Sequence, residues 1–141
     1  MININIDLEL SIISCLLYKP ELFNELIVKE EHFVKHQRIW KFIKAVYDKF
    51  GTLDVALMYS VCSTRSQYKL VLYVQELLEY EPAPSNFMKY QERLIEQFDE
   101  SKKEQQIINQ IYDLSNELFT RKITLGDFIK KIEEKKKEIE K

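Results

Sequence analysis

Backbone freedom is scarce in this chain: of 141 residues only Gly51 and Gly126 are glycine, and only Pro20, Pro82 and Pro84 are proline. Tight β-hairpins rely on glycine, often after asparagine or aspartate, to reach left-handed backbone. Two glycines cannot supply a succession of such turns, so an all-β fold is excluded and helices separated by a few breaks are expected. The remaining composition agrees. Leu, Ile, Glu, Lys and Gln abound, and 45% of residues are hydrophobic, enough for the core of one structural domain.

The same scarcity excludes two nucleotide sites. The loop G-x-x-x-x-G-K-[ST] cradles phosphates with glycine amides, and neither glycine here precedes Lys-Ser or Lys-Thr. G-x-G-x-x-G cannot be formed from residues 51 and 126. The chain therefore has no phosphate-binding loop of either kind, and no cofactor is expected.

Charge gives little. There are 21 basic and 23 acidic residues, interspersed, for a net charge of −2. A strongly basic chain would point to phosphate backbones, so direct nucleic-acid binding is expected to be weak or absent. No apolar run approaches the ~18–20 residues that span a bilayer. The N-terminus lacks the basic and small-residue pattern of a signal peptide. Cys15 and Cys62 form no C-x-x-C pair and read as free thiols on helix faces. Together these features lead to the expectation of a cytoplasmic protein with no membrane partner.

Helical signals run along the chain. Asp7 can cap a first helix over 7–18 with Ile12, Ile13, Leu16 and Leu17 on one stripe. Pro20 suits the first turn of a short helix burying Leu22, Phe23, Leu26 and Ile27. Residues 30–33 connect to the clearest helix, 36–50, where Ile39, Trp40, Ile43, Val46, Tyr47 and Phe50 keep helical spacing. Gly51 follows as a left-handed terminator. Asp54 caps a helix over 55–62, and Ser66 caps another over 67–80. The run Leu70–Val74 could be a buried strand, but its unbroken continuation through Leu77 and Leu78 favours helix.

Pro82 and Pro84 form the one proline-rich joint. After it, Ser85 or Asn86 caps a helix reaching Phe119, whose stripe is interrupted by a wholly polar stretch, 99–106. Ile107, Ile108, Ile111, Leu114, Leu118 and Phe119 resume it. Thr124 and Asp127 make a capping box for a last helix carrying Leu125, Phe128, Ile129, Ile132 and Ile139. Isolated amphipathic helices of this length are marginal in water, so the two are expected to pair through the turn at 121–123. The expected fold is all-α: a head of five to six helices, residues 1–98, then a protruding antiparallel hairpin, residues 99–141, leading toward a linker.

Candidate chemistry finds little support. His32 and His36 lie four apart, but Glu-x-x-His and His-Glu-x-x-His are both missing, so they are expected to be a partly exposed pair at a helix N-terminus rather than metal ligands. Glu30/Glu31 and Glu133/Glu134 are neighbours in sequence and diverge by about 100° on a helix, which suits solvated faces better than acid/base work. Cys62, flanked by Ser60 and Ser63, has no base near it in sequence. No catalytic residue and no metal ligand are named, and the chain is expected not to be an enzyme.

The ordered features resemble one family, the N-terminal domain of DnaB-type replicative helicases. Its opening L-E-x-E-x-x-V-L-G-x-L-L is similar to residues 8–17, followed by Pro20, with Ser14 at the glycine. Its D-F-[YF]-x-x-x-H-x-x-I-F segment is similar to residues 31–47, its G-x-x-[IV]-D turn to Gly51–Leu57, and its Y-L-x-E-L and P-[ST]-A-A-N-x-x-x-Y segments to Tyr73–Leu77 and Pro82–Tyr90. The glycine-rich insert of the family is shortened to Ser63–Ser66. The last two helices match in pattern only. The helicase-binding domain of bacterial primase resembles the same fold, and Pro82–Tyr90 favours the helicase side.

The resemblance implies a domain without chemistry of its own. Such domains pair largely through their hairpins, and the pairs build a hexameric collar that receives primase or a helicase loader. It implies a homo-oligomer here, with primase or loader as partner. Because the chain ends at Lys141, where the family's linker and ATPase domain begin, it is read as a piece of a helicase or as a free-standing relative. In the second case it would be an adaptor or decoy from a phage or mobile element, binding host helicase, loader or primase. The hairpin's apolar residues exceed what two helices bury between them. Ile108, Ile111, Tyr112, Leu118, Phe128, Ile129 and Ile132 are the candidate interface.

Overall fold

The computed structural model describes residues 6–140. Among the described residues are six α-helices and three 3-10 turns, with no strand. The chain divides into two compact units, one ending at Ile95 and the other beginning at Glu96.

In the first unit, α1 (Leu8–Tyr18) starts at Asp7, whose Oδ1 accepts from the Leu10 amide at 2.9 Å. The single apolar stripe expected of this helix is corrected, because every residue from Glu9 to Leu17 is buried. Away from Ile12, Ile13, Leu16 and Leu17 the helix carries the small residues Ser11, Ser14 and Cys15, which are buried as well. Such a helix forms the centre of a core rather than one wall of it.

Pro20 opens a 3-10 turn, Pro20–Glu25, which then gives way to extended backbone at Leu26. That change of conformation corrects a second expectation. Ile27 is exposed and Val28 is buried in its place, since side chains alternate sides once the chain extends. A second 3-10 turn, Glu30–His32, leads to α2 (Gln37–Phe50). Gly51 ends α2 at φ 71°, and its amide donates to the Tyr47 carbonyl at 2.7 Å. Trp40 of α2 stacks with Phe33 and Phe23, at centroid distances of 4.3 and 5.9 Å, and Phe23 stacks with Tyr47 at 4.1 Å.

Asp54 caps α3 (Val55–Ser60), accepting from the Leu57 amide at 3.1 Å. Cys62 lies beyond this helix rather than on its face. Next, α4 (Arg65–Leu77) is capped by Thr64 and not by Ser66. Thr64 Oγ1 accepts from the Gln67 amide at 3.2 Å while Gln67 Oε1 accepts from the Thr64 amide at 3.3 Å. Glutamine closes this reciprocal box as well as glutamate does, and Ser66, inside the first turn, instead contacts Arg38.

A 3-10 turn, Pro84–Asn86, runs into α5 (Phe87–Phe119), and α6 (Leu125–Glu140) follows. Phe87, Gln91 and Leu94 are buried in the first unit. The stretch 99–106 is exposed throughout, and Ile107 and Leu114 are the buried apolar residues of the second unit. The end of α5 is closed by backbone bonds, with the Thr120 hydroxyl also donating to the Asn116 carbonyl at 3.0 Å. Arg121 takes a left-handed φ of 60°, its amide donates to Leu118 at 3.0 Å, and the Lys122 amide reaches Glu117 at 2.8 Å. This is a Schellman closure formed without glycine. Thr124 then accepts from the Asp127 amide at 3.2 Å to start α6. The Ile139 side chain, expected on the stripe of α6, lies outside the described residues.

Candidate interaction surface

Apolar residues on the second part of α5 fall into two stripes. Ile107, Ile111, Leu114 and Leu118 follow a 4-3-4 spacing, the seam of paired helices. Ile107 and Leu114 are buried, while Ile111 and Leu118 are half-buried. Roughly 110° further round, Ile108, Tyr112 and Phe119 are 56, 66 and 88% exposed. On α6, Phe128 and Ile132 are half-buried, and Leu125 and Ile129 are 61 and 50% exposed. Gln110, Asp113 and Leu114 of α5 line a shared cleft with Lys131, Glu134 and Lys135 of α6. The seven candidate interface residues are thus split: Ile111, Leu118, Phe128 and Ile132 sit on the half-buried stripes, and Ile108, Tyr112 and Ile129 on the exposed ones.

The polar residues of the first unit are taken up by the fold. Glu9 is buried, and its carboxylate accepts the amides of Lys35 and His36 at 3.1 and 3.0 Å. His36 Nε2 meets Asp7 Oδ2 at 2.9 Å, joining the start of α1 to the start of α2. His32 is buried rather than partly exposed, because its Nδ1 accepts from the Lys29 amide at 2.8 Å and closes the turn before α2. The two histidines therefore serve different elements. Gln91 is completely buried. Its Oε1 accepts the Ile27 and Val28 amides at 2.7 and 3.3 Å, and its Nε2 donates to the Glu25 carbonyl at 3.2 Å. Sequence reasoning missed Glu9 and Gln91, whose partners lie 26 to 66 residues away.

Nucleophile chemistry finds no geometry near Cys62. Its Sγ donates to the Met58 carbonyl at 3.2 Å, and desolvation raises its thiol above the usual range. Ser60 donates to Leu57 and Ser63 to Gln67. Burial pushes the Cys15 thiol up to about 11. Tyr73, beside a cleft formed by residues 34–39 and Leu70, is raised by burial first and then by the charges of Asp7 and Glu76. Each of these groups stays protonated at neutral pH. Among the described residues no group of three or more His, Cys, Asp or Glu side chains is placed to hold a metal ion. No helix among them is long and apolar enough to cross a membrane.

The sequence profile of one family, the DnaB-like helicase N-terminal domain, matches residues 1–96. The chain belongs to that family. The matched segment ends one residue beyond the first compact unit, which closes at Ile95. No curated protein matches the chain, and no solved structure does. A DnaB-like N-terminal domain is the non-catalytic part of its helicase, in keeping with a first unit whose acids and histidines hold backbone and each other.

Proposed function

We propose that this DnaB-like domain is an oligomerisation and docking module acting with a replicative helicase in DNA replication, and that its working surface lies on the second unit. The observation that carries the reading is the family match together with five large apolar side chains, Ile108, Tyr112, Phe119, Leu125 and Ile129, left in solvent on two successive helices. Soluble domains rarely leave such a set uncovered.

The exposed stripes follow from a hairpin. If the seam residues Ile107, Ile111, Leu114 and Leu118 face Phe128 and Ile132, α5 and α6 are antiparallel. On each helix the exposed stripe then lies roughly 60–110° further round in the same rotational sense. Reversing one helix reverses that sense when both are viewed from one end, so the two stripes come to the same side. Ile108, Tyr112 and Phe119 join Leu125 and Ile129 in one apolar strip, while Ile111, Leu118, Phe128 and Ile132 close the hairpin itself. The head of residues 1–98 and the hairpin of residues 99–141 are then a rooted body and a presented surface.

A second copy is the first partner of this strip, because an identical apolar strip is self-complementary about a two-fold axis. Pairs of chains, three pairs in a collar, and primase or a loader as further partner complete the reading, in a cytoplasmic setting. Light scattering after gel filtration tests it. The chain is expected to elute as a dimer or higher, and Tyr112→Lys with Ile129→Lys to give a folded monomer. A wild-type chain that is monomeric at high concentration overturns the proposal.

A further inference from the structure

Residues Pro20–Val28 are attached to the first unit in an unusual way. They bring Leu22, Phe23 and Val28 to the core, yet form only a 3-10 turn and extended backbone. Within the segment the Leu22 amide bonds Lys19 and the Leu26 amide bonds Phe23, both short-range. The Ile27 and Val28 amides and the Glu25 carbonyl are all satisfied by one side chain, Gln91. Helices and sheets spread such bonds over many residues, so that losing one leaves the others in place. Here one amide group serves three backbone groups.

A second observation concerns what the segment covers. Phe23 and Phe33 both stack on the Trp40 indole. Trp40 is only 1% exposed, and its Nε1 is buried without a hydrogen-bond partner. An unpaired buried donor costs free energy that is recovered when water reaches it. Lifting Phe23 away removes a stacked ring from the Trp40 indole and from Tyr47.

We propose that Pro20–Val28 is a strap that opens as a unit while α1 and α2 stay folded, that the Gln91 amide is its catch, and that opening uncovers the aromatic face of Trp40 and Tyr47. Proteins open through such local units, with free energies below that of global unfolding. The strap qualifies by its short-range 3-10 bonding, by its reliance on Gln91 at Glu25, Ile27 and Val28, and by the exposure of Glu21, Asn24, Glu25 and Ile27 along its outer side.

Amide hydrogen exchange on the whole chain tests the strap directly. In the wild type, the amides of Leu22, Ile27 and Val28 are expected to exchange together and faster than those of Ile12, Ile13 and Ile43. Gln91→Met keeps length and apolar bulk but loses the catch. It is expected to speed strap exchange by about ten- to a hundredfold beyond any change at α1 and α2. Trp40 is the one tryptophan of the chain, so acrylamide quenching of its fluorescence should rise with helical circular dichroism unchanged. Where Gln91→Met does not fold, the wild-type exchange pattern alone decides. Strap amides as protected as those of α1 and α2, or a Gln91→Met effect equal at every site, overturns the proposal.

Discussion

In the first unit Leu10, Ile12, Ile13, Leu16 and Ile43 have no solvent exposure, whereas in the second Ile108, Tyr112, Phe119, Leu125 and Ile129 are half or more exposed. Both units draw on the same residue types and on helices of ordinary composition. The difference is partnership. The first unit wraps several elements around α1, so that even its serines are covered. In the second, Ile107 and Leu114 of α5 are covered while Ile108, Tyr112 and Phe119 of the same helix are not. An apolar stripe left uncovered needs another molecule or stays wet. The core of the first unit is closed by its own elements, and in the proposed reading the strip of the second is closed by another molecule.

Substitutions that treat the two regions alike test that contrast. Leu16→Ala should have the largest effect, lowering stability by about 2–5 kcal/mol in denaturant unfolding, because a buried leucine loses both transfer energy and packing. Ile129→Ala, a truncation of similar chemistry, should change the stability of the dilute chain by less than about 0.5 kcal/mol. Equal effects would break the comparison. Glu9→Leu comes next. It orphans the Lys35 and His36 amides in a covered site and should cost about 1–3 kcal/mol by the same assay. Smaller and opposite in sign, Arg121→Gly should relieve the left-handed residue between α5 and α6 and raise stability by about 0.5–1 kcal/mol, read as a higher thermal midpoint.

Proton linkage at Cys15 sharpens the same contrast from the buried side. Its thiol moves from 9.0 to about 11 in the folded chain through burial. Between those values the unfolded chain has lost a proton that the folded chain keeps, so stability is full below pH 9 and falls as pH climbs toward about 11. Thermal midpoints at pH 8 and 10 should show the slope, and Cys15→Ala should flatten it.

Much of the helix plan was legible because its signals are local. Asp7, Gly51, Asp54 and Thr124 each act within four residues of themselves, and each marks a real boundary. Errors arose where a local rule had a competitor. Ser66 lost to Thr64 because the box partner is Gln67, and Ile27 lost to Val28 because the chain leaves helical backbone at Leu26. Glu9 and Gln91 were invisible for a different reason: their roles are fixed by backbone groups brought near only by folding. The proposed interface residues stand out in the sequence only as an excess of apolar side chains. Their division into Ile111, Leu118, Phe128 and Ile132 against Ile108, Tyr112 and Ile129 needed the folded structure.

The most direct test of the central contrast is sedimentation velocity on a dilution series of the wild-type chain beside Ile108→Lys/Ile129→Lys. If the exposed strip is closed by a second copy, the wild type sediments as a dimer or larger and dissociates on dilution, while the variant stays monomeric with unchanged helical content. A wild type that sediments as a monomer at every concentration, or a variant that associates as the wild type does, contradicts the account.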